Sequence, residues 1–285
     1  VAEVKNFAIH ELGLKSSNNY LEYKESNPRT IYRLYAVPKT ELPDEIDDWI
    51  HIKKDGEYRE LQEDPFALRS SVDKFLDEET FYKDKKYDVI YMIPEQIEEQ
   101  IIGEGCNLTP EFLRRARHDQ AETIIHEDWH YSFDAWSPFS NPEREIDEAA
   151  ASVLGYVGAI EFMEHKYGKD SDEHKSAIAY FESWKKYTKV RNDTFEELQG
   201  LYNTCMEEED KLALRDDIFQ KRRDEGYILN NATLWEDRAY IKNSPLILNV
   251  YEKAGSARQL VKVMKDCPTD EEGALEYIRG YLGQG

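Results

Sequence analysis

His126-Glu127-Asp128-Trp129-His130 is the stretch from which the rest of the chain can be read. Histidines four apart on an α-helix stand one above the other on a single face, so both imidazoles can reach one zinc ion. Glu127 follows the first of them and can reach a water held by that ion. The reading requires a helix, and the preceding residues supply one. Thr109-Pro110-Glu111 places an N-cap hydroxyl, a proline at the first helical position and an acid in the first turn. From there Phe112, Leu113, Ala116, Ala121, Ile125, Trp129 and Phe133 form an apolar stripe at helical spacing. No Gly or Pro intervenes before Pro138, so the sequence predicts one long helix with the motif near its C-terminal end.

A catalytic zinc takes three protein ligands and keeps one position open. Asn141-Pro142-Glu143 is a second helix start of the same form, and the helix it opens runs on to about Tyr167. The loop between the two, Ser137 to Pro142, is short and turn-rich, which favours antiparallel packing of the helices it joins. A carboxylate in the first turns of the second helix can then come near the end of the first. Ala149, Ala150, Ala151, Ser152, Gly155, Gly158 and Ala159 are small enough to let the two helices approach closely.

H-E-x-x-H, about 17 intervening residues and then Asp147-Glu148-Ala149-Ala150-Ala151 resembles the gluzincin group of metallopeptidases. In that group a Glu on the following helix is the third zinc ligand. The resemblance implies that role for Glu148, with Glu145, one turn earlier, as the alternative. Leu229-Asn230-Asn231-Ala232-Thr233-Leu234, followed by Tyr240, Pro245, Tyr251 and Gly255, is similar to a C-terminal segment of predicted gluzincin-like aminopeptidases. It implies that Asn230 and Asn231 line the cleft and that Tyr240 donates to the developing oxyanion. The likeness covers about residues 105–255, with its strong motifs between His126 and Glu148. It also implies an edge strand that pairs with extended substrate.

One residue departs from the pattern. Peptidase versions of the motif carry uncharged residues where this chain has Asp128, which either faces outward or supports a ligand. That departure keeps other readings open: a non-catalytic zinc-binding scaffold or binding module, and a metal-dependent hydrolase of a non-peptide amide. Glu127-x-x-His130 is also the unit of di-iron helix bundles, which need a second such unit. No other histidine has Glu three residues before it; the nearest approach is Asp48 before His51, in a non-helical segment. His10, His51, His118, His165 and His174 are expected to be surface or structural, with His118 and Glu122 a pair along the helix.

The 285 residues suffice for one large domain or two small ones, and a hydrophobic content of 40% with 12% aromatics supports a real core. The net charge of −22 argues against nucleic-acid and anionic-membrane partners, both of which demand a basic surface. Cys106, Cys205 and Cys267 are odd in number and widely spaced, which favours reduced thiols and a cytoplasmic setting. The start of the chain carries no signal-peptide pattern, and no apolar run is long enough to span a bilayer.

Ile31 to Val37 and Tyr87 to Ile93 read as strands, and a helix is predicted after Pro65. Beyond Gly168 the pattern is almost wholly helical, in segments near 171–190, 192–209, 210–225, 231–242, 256–265 and 269–282. The expectation is an α+β, mostly helical chain. Residues 1–168 would form a zincin-like domain with a small N-terminal sheet and the metal-site helices, and 169–285 a helical lobe completing the cleft. The chemistry expected is hydrolysis of a peptide or protein substrate. His126, His130 and Glu148 would hold Zn²⁺, Glu127 would be the general base and Tyr240 would assist.

Overall fold

The computed structural model describes residues 1–25, 33–42, 50–51, 87–92, 106–136, 144–268 and 270–284. The predicted helix after Pro65, the loop from Ser137 and the helix start at Asn141 lie outside them. The elements in chain order are α1 (Ala2–Phe7) running into a π-helical turn (Ala8–Leu12), then β1 (Arg33–Pro38), β2 (Ile50–His51) and β3 (Tyr87–Met92). They continue with α2 (Pro110–Arg114), α3 (Arg117–Trp136), α4 (Arg144–Tyr167), α5 (Asp172–Tyr202) and α6 (Glu208–Asp224). The chain closes with α7 (Asn231–Ile241), α8 (Ser244–Ala254), α9 (Ala257–Lys265) and α10 (Glu271–Leu282). The protein is thus mostly helical with a small sheet. No described helix is long and apolar enough to cross a membrane. All three cysteines are free.

The chain divides into two compact units. The first comprises Val1–Ser26, Glu98–Thr188 and Ala239–Gly285; the second comprises Asn27–Ile97 and Lys189–Arg238. The position near 168–171 where the sequence reading put a domain boundary falls within the first unit, between α4 and α5.

In the first unit one core gathers α1, the π turn, α2, α3, α4, α8, α9 and α10, with Trp129, Tyr20, Phe112, Ile124, Ile125, Leu154, Met163, Ile247 and Leu260 among its fully buried side chains. The π turn ends at Gly13, whose φ of 87° lies in the left-handed region that suits glycine and lets the chain reverse toward Leu14. The helix predicted from Thr109 to the motif is two helices. Thr109 caps α2 as expected, its hydroxyl accepting from Phe112 N, but Arg115 is extended and the helix restarts at Arg117. Gln120 holds the corner, its amide donating to Leu113 O at 3.3 Å and Arg115 O at 2.8 Å, carbonyls that the break leaves without helical partners. The corner resets the helical phase, so Leu113, predicted for the core, is exposed.

α3 and α4 pack antiparallel. The glycines show how closely: a Cβ on Gly155 would lie 3.0 Å from the Glu122 carbonyl oxygen, and one on Gly158 would lie 3.1 Å from Ile125 Cδ1. The small residues of α4 therefore do what their size suggests. They bring the third carboxylate within reach of the two histidines.

In the second unit the sheet has the order β2-β1-β3 with both pairings antiparallel, Tyr35 standing opposite Ile90 on one side and His51 on the other. Both predicted strands form, and β1 is central. Leu198, Tyr202, Phe219, Leu229 and Leu234 make one small core; Val37, Ala232 and Trp235 make another. Asp88 at the heart of this unit is buried and pairs with the buried Arg215.

Every described element after residue 170 is helical, as the pattern predicts. Two details differ. The break expected near 191 is absent and α5 is continuous, because an Asn in a helix interior costs only a few tenths of a kcal/mol and Arg191, Thr194 and Leu198 are anchored by burial. α8 was not predicted, although Pro245 at its start and Gly255 at its end are ordinary helix boundaries.

Candidate metal centre

His126 and His130 project from one face of α3, with ring centroids 4.8 Å apart. Their Nε2 atoms face each other at 3.1 Å. Glu148, from the first turns of α4, brings Oε2 to 3.5 Å from His126 Nε2 and 3.3 Å from His130 Nε2. Among the described residues this is the one cluster of three or more side chains with metal-ligand spacing. A tetrahedral zinc with bonds of about 2.0–2.2 Å places its ligand atoms about 3.3–3.6 Å apart. The observed triangle of 3.1, 3.3 and 3.5 Å therefore accommodates such an ion. Its donors, two imidazoles and one carboxylate, are those of catalytic rather than closed structural sites.

Asp147 completes the arrangement. Its Oδ2 lies 2.7 Å from His130 Nδ1 and its Oδ1 accepts from Trp129 Nε1 at 2.9 Å. With Nδ1 held by the carboxylate, His130 keeps Nε2 turned into the space it shares with His126 Nε2 and Glu148 Oε2. The electrostatics ask for a cation at the same point. Burial disfavours a charged His130, but Asp147 and Glu148 outweigh it and raise its pKa well above the ordinary imidazole value. Burial pushes Glu148 upward, and hydrogen bonds from His126 and His130 outweigh that and hold it well below the usual carboxylate range.

Glu127 is buried, with Oε2 3.8 Å from the thiol of Cys106. Tyr240, on α7, is partly buried, with its ring 6.4 Å from that of His126. The sequence-predicted His126, His130, Glu148 and Tyr240 thus come together. Glu145 does not join them: its carboxylate pairs with Lys242, which also reaches Glu271.

Asp128 follows neither of the two expectations for it. It is fully buried and points away from the histidines, into the N-terminal segment. Lys5 Nζ lies 3.0 and 3.1 Å from its two oxygens, Ser17 donates to Oδ1, and Asn19 Nδ2 is 3.3 Å from Oδ1. Its charge is neutralised inside the core by Lys5 and has no part in holding a metal.

Asn230 and Asn231, expected to line a cleft, have structural roles in the second unit. Asn230 is the N-cap of α7, its Oδ1 accepting from Thr233 N at 2.8 Å while Thr233 Oγ1 accepts from Asn230 N at 2.8 Å. Asn231 is fully buried, donating to Pro38 O at 2.7 Å and Glu41 O at 3.1 Å and accepting from Tyr202 at 2.9 Å. Asparagine is favoured at a helix start for the same reason it can bond substrate, so sequence could not separate the roles. His118 Nδ1 lies 3.3 Å from Ser176 Oγ and its ring packs against Tyr180.

Sequence reading missed the roles of Asp147, Cys106, Asn19 and Lys5. Asp147 had a signal, an acid beside Glu148; the other three are distant in sequence from the motif they touch. No family model, curated protein or solved structure compared with the chain matches it.

Proposed function

We propose that the protein is a zinc-dependent metallopeptidase of the gluzincin type, with the α3–α4 pair as the heart of a zincin-like domain. The observation that carries this reading is the triangle of His126 Nε2, His130 Nε2 and Glu148 Oε2, with sides of 3.1 to 3.5 Å. Glu127 follows its first member in the chain. His126, His130 and Glu148 would hold the ion, and a bound zinc would supply Lewis acidity toward a carbonyl oxygen and a water. The chain's own residues do the rest. Asp147 keeps His130 in the tautomer that turns Nε2 inward. Glu127 accepts the proton of the attacking water and returns it to the leaving amine. The Tyr240 phenol donates to the oxygen that gains charge, a contribution of about 3 kcal/mol where such a donor has been removed.

Support also comes from Asp128. Its presence raised the alternative of a non-catalytic scaffold, and its burial against Lys5 accounts for the charge without reference to catalysis. The experiment is Glu127→Gln, with metal content by mass spectrometry and turnover of a mixed peptide library. The variant is expected to keep about one zinc per chain and to lose about 10²–10⁴-fold in rate. Cleavage at the wild-type rate would remove Glu127 as the base. A zinc-loaded wild type that cleaves no peptide would remove the peptidase reading, in favour of a scaffold or a non-peptide amide hydrolase.

A further inference from the structure

The polar network on the far side of α3 reaches the general base from behind. Asn19 is its junction. This side chain is fully buried and uses both ends: Nδ2 donates to the Glu127 carbonyl at 3.1 Å and approaches Asp128 Oδ1 at 3.3 Å, while Oδ1 accepts from Cys106 N at 3.1 Å. Its own backbone N–H donates to Ser17 Oγ at 3.1 Å, and Ser17 in turn bonds Asp128 and accepts from Lys5 Nζ at 2.8 Å. Lys15 N donates to Ser132 Oγ at 2.8 Å, and Ser132 donates to Asp128 O at 2.6 Å. Beyond Asn19 the N-terminal segment runs beside residues 106–108, with Tyr20 N bonded to Cys106 O at 2.6 Å, Leu108 N to Glu22 O at 2.7 Å and Lys24 N to Leu108 O at 2.8 Å. Cys106 is thus held on both its N–H and its C=O, and its thiol lies against Glu127 Oε2.

We propose that the N-terminal segment is a positioning device for the general base: Asn19 fixes the backbone of Glu127 and, through Cys106, the direction of its carboxylate. The proposal rests on the reading of Glu127 as the base. Two physical points favour it. A buried amide with both ends bonded has a single orientation, so the distance between the Glu127 carbonyl and Cys106 N is set by one rigid group. A thiol donating to one carboxylate oxygen of a buried Glu also narrows the choice among the rotamers that its three side-chain torsions offer. Asn19 and Cys106 are positioning residues here. Neither touches the three metal-ligating atoms, and misplacement of a reacting group by about 1 Å can cost about a hundredfold in rate.

The test uses the zinc-loaded full chain as wild type, Cys106→Ala, Cys106→Ser and Asn19→Asp. Asn19→Asp keeps the acceptor for Cys106 N and replaces the donor to Glu127 O. The readouts are zinc content, kcat and KM on a cleaved peptide, and the Glu127 rotamer in crystal structures. The expected result is a kcat lower by about ten- to a hundredfold in Cys106→Ala and Asn19→Asp, with KM and zinc content unchanged and the carboxylate spread over more than one rotamer. Cys106→Ser, whose hydroxyl still donates, is expected to recover most of the loss. Should Asn19→Asp not fold, the pair at Cys106 decides. An unchanged rotamer in Cys106→Ala, or an unchanged kcat, overturns the proposal. A wild type that cleaves no peptide sinks the peptidase reading instead, and the rotamer comparison still decides whether Cys106 directs Glu127.

Discussion

Helix α3 carries a buried aspartate, Asp128, on one side and faces a partly buried one from α4, Asp147, on the other, and the two are treated oppositely. Asp128 is fully buried and meets an ammonium, Lys5, with Ser17 and Asn19 both donating to its Oδ1. That side is electrically closed. On the other side Asp147 and Glu148 meet the imidazoles of His130 and His126, and Asp147 also takes the Trp129 indole. Imidazole supplies a positive charge only by taking up a proton, so this side balances its two carboxylates with protons or with a metal. The carboxylates on the two sides of this helix pair are therefore an anchor and, on the proposed reading, a metal receptor, distinguished by whether the counter-charge is permanent.

The largest effect expected is at the receptor. Glu148→Ala should lose the zinc, while Glu145→Ala should keep it and lose only the tie to Lys242; metal content after dialysis decides, and the reverse result would transfer the ligand role to Glu145. The anchor should respond in stability instead. Asp128→Ala leaves Lys5 buried without its counter-ion, which costs about 3–5 kcal/mol, read by denaturant unfolding of the metal-free chain. A surviving folded fraction should still bind zinc. If Asp128→Ala lowered zinc affinity as strongly as stability, the two sides would not be separate.

Asp147→Asn sharpens the comparison. It should weaken zinc binding by about 10–100-fold, the usual cost of losing a carboxylate behind a ligating histidine, and change unfolding less than Asp128→Ala does. The smallest effect is in pH. The pKa of His130 is raised, so near neutrality the metal-free site holds a proton that zinc must displace. Zinc affinity should therefore climb by up to about tenfold per pH unit below the raised pKa and level off above it. In Asp147→Asn the levelling should move to lower pH, because one of the two carboxylates that raise the pKa is gone. Chelator competition between pH 6 and 9 would show this; a flat profile would mean that His130 carries no such proton.

Much of the site was legible because its spacing is a property of the helix. His126 and His130 had to share a face once α3 formed, and the α4 pattern put a carboxylate near them, with Glu148 singled out from Glu145 only by the resemblance to the gluzincins. Strands β1 and β3 were legible from their β-branched and aromatic runs. The helix break at Arg115 was not, because it rests on Gln120 bonding two carbonyls rather than on any Gly or Pro. The choice between Glu148 and Glu145 was not legible either. Both are acids near the start of one helix, and Lys242, 97 residues from Glu145, takes one of them.

The sequence by itself determined the helical character of the chain, the two strands and the face on which the histidines stand, because these follow from periodicities within a few residues. Tertiary structure decided which way Asp128 points, what Asp147 and Cys106 touch, and that Asn231 is a buried latch, not a cleft residue. Those outcomes depend on partners far away in the chain: Lys5 is 123 residues from Asp128, and Pro38 is 193 from Asn231. A polar side chain's role is set by the group it meets, and only the folded core brings that group to it.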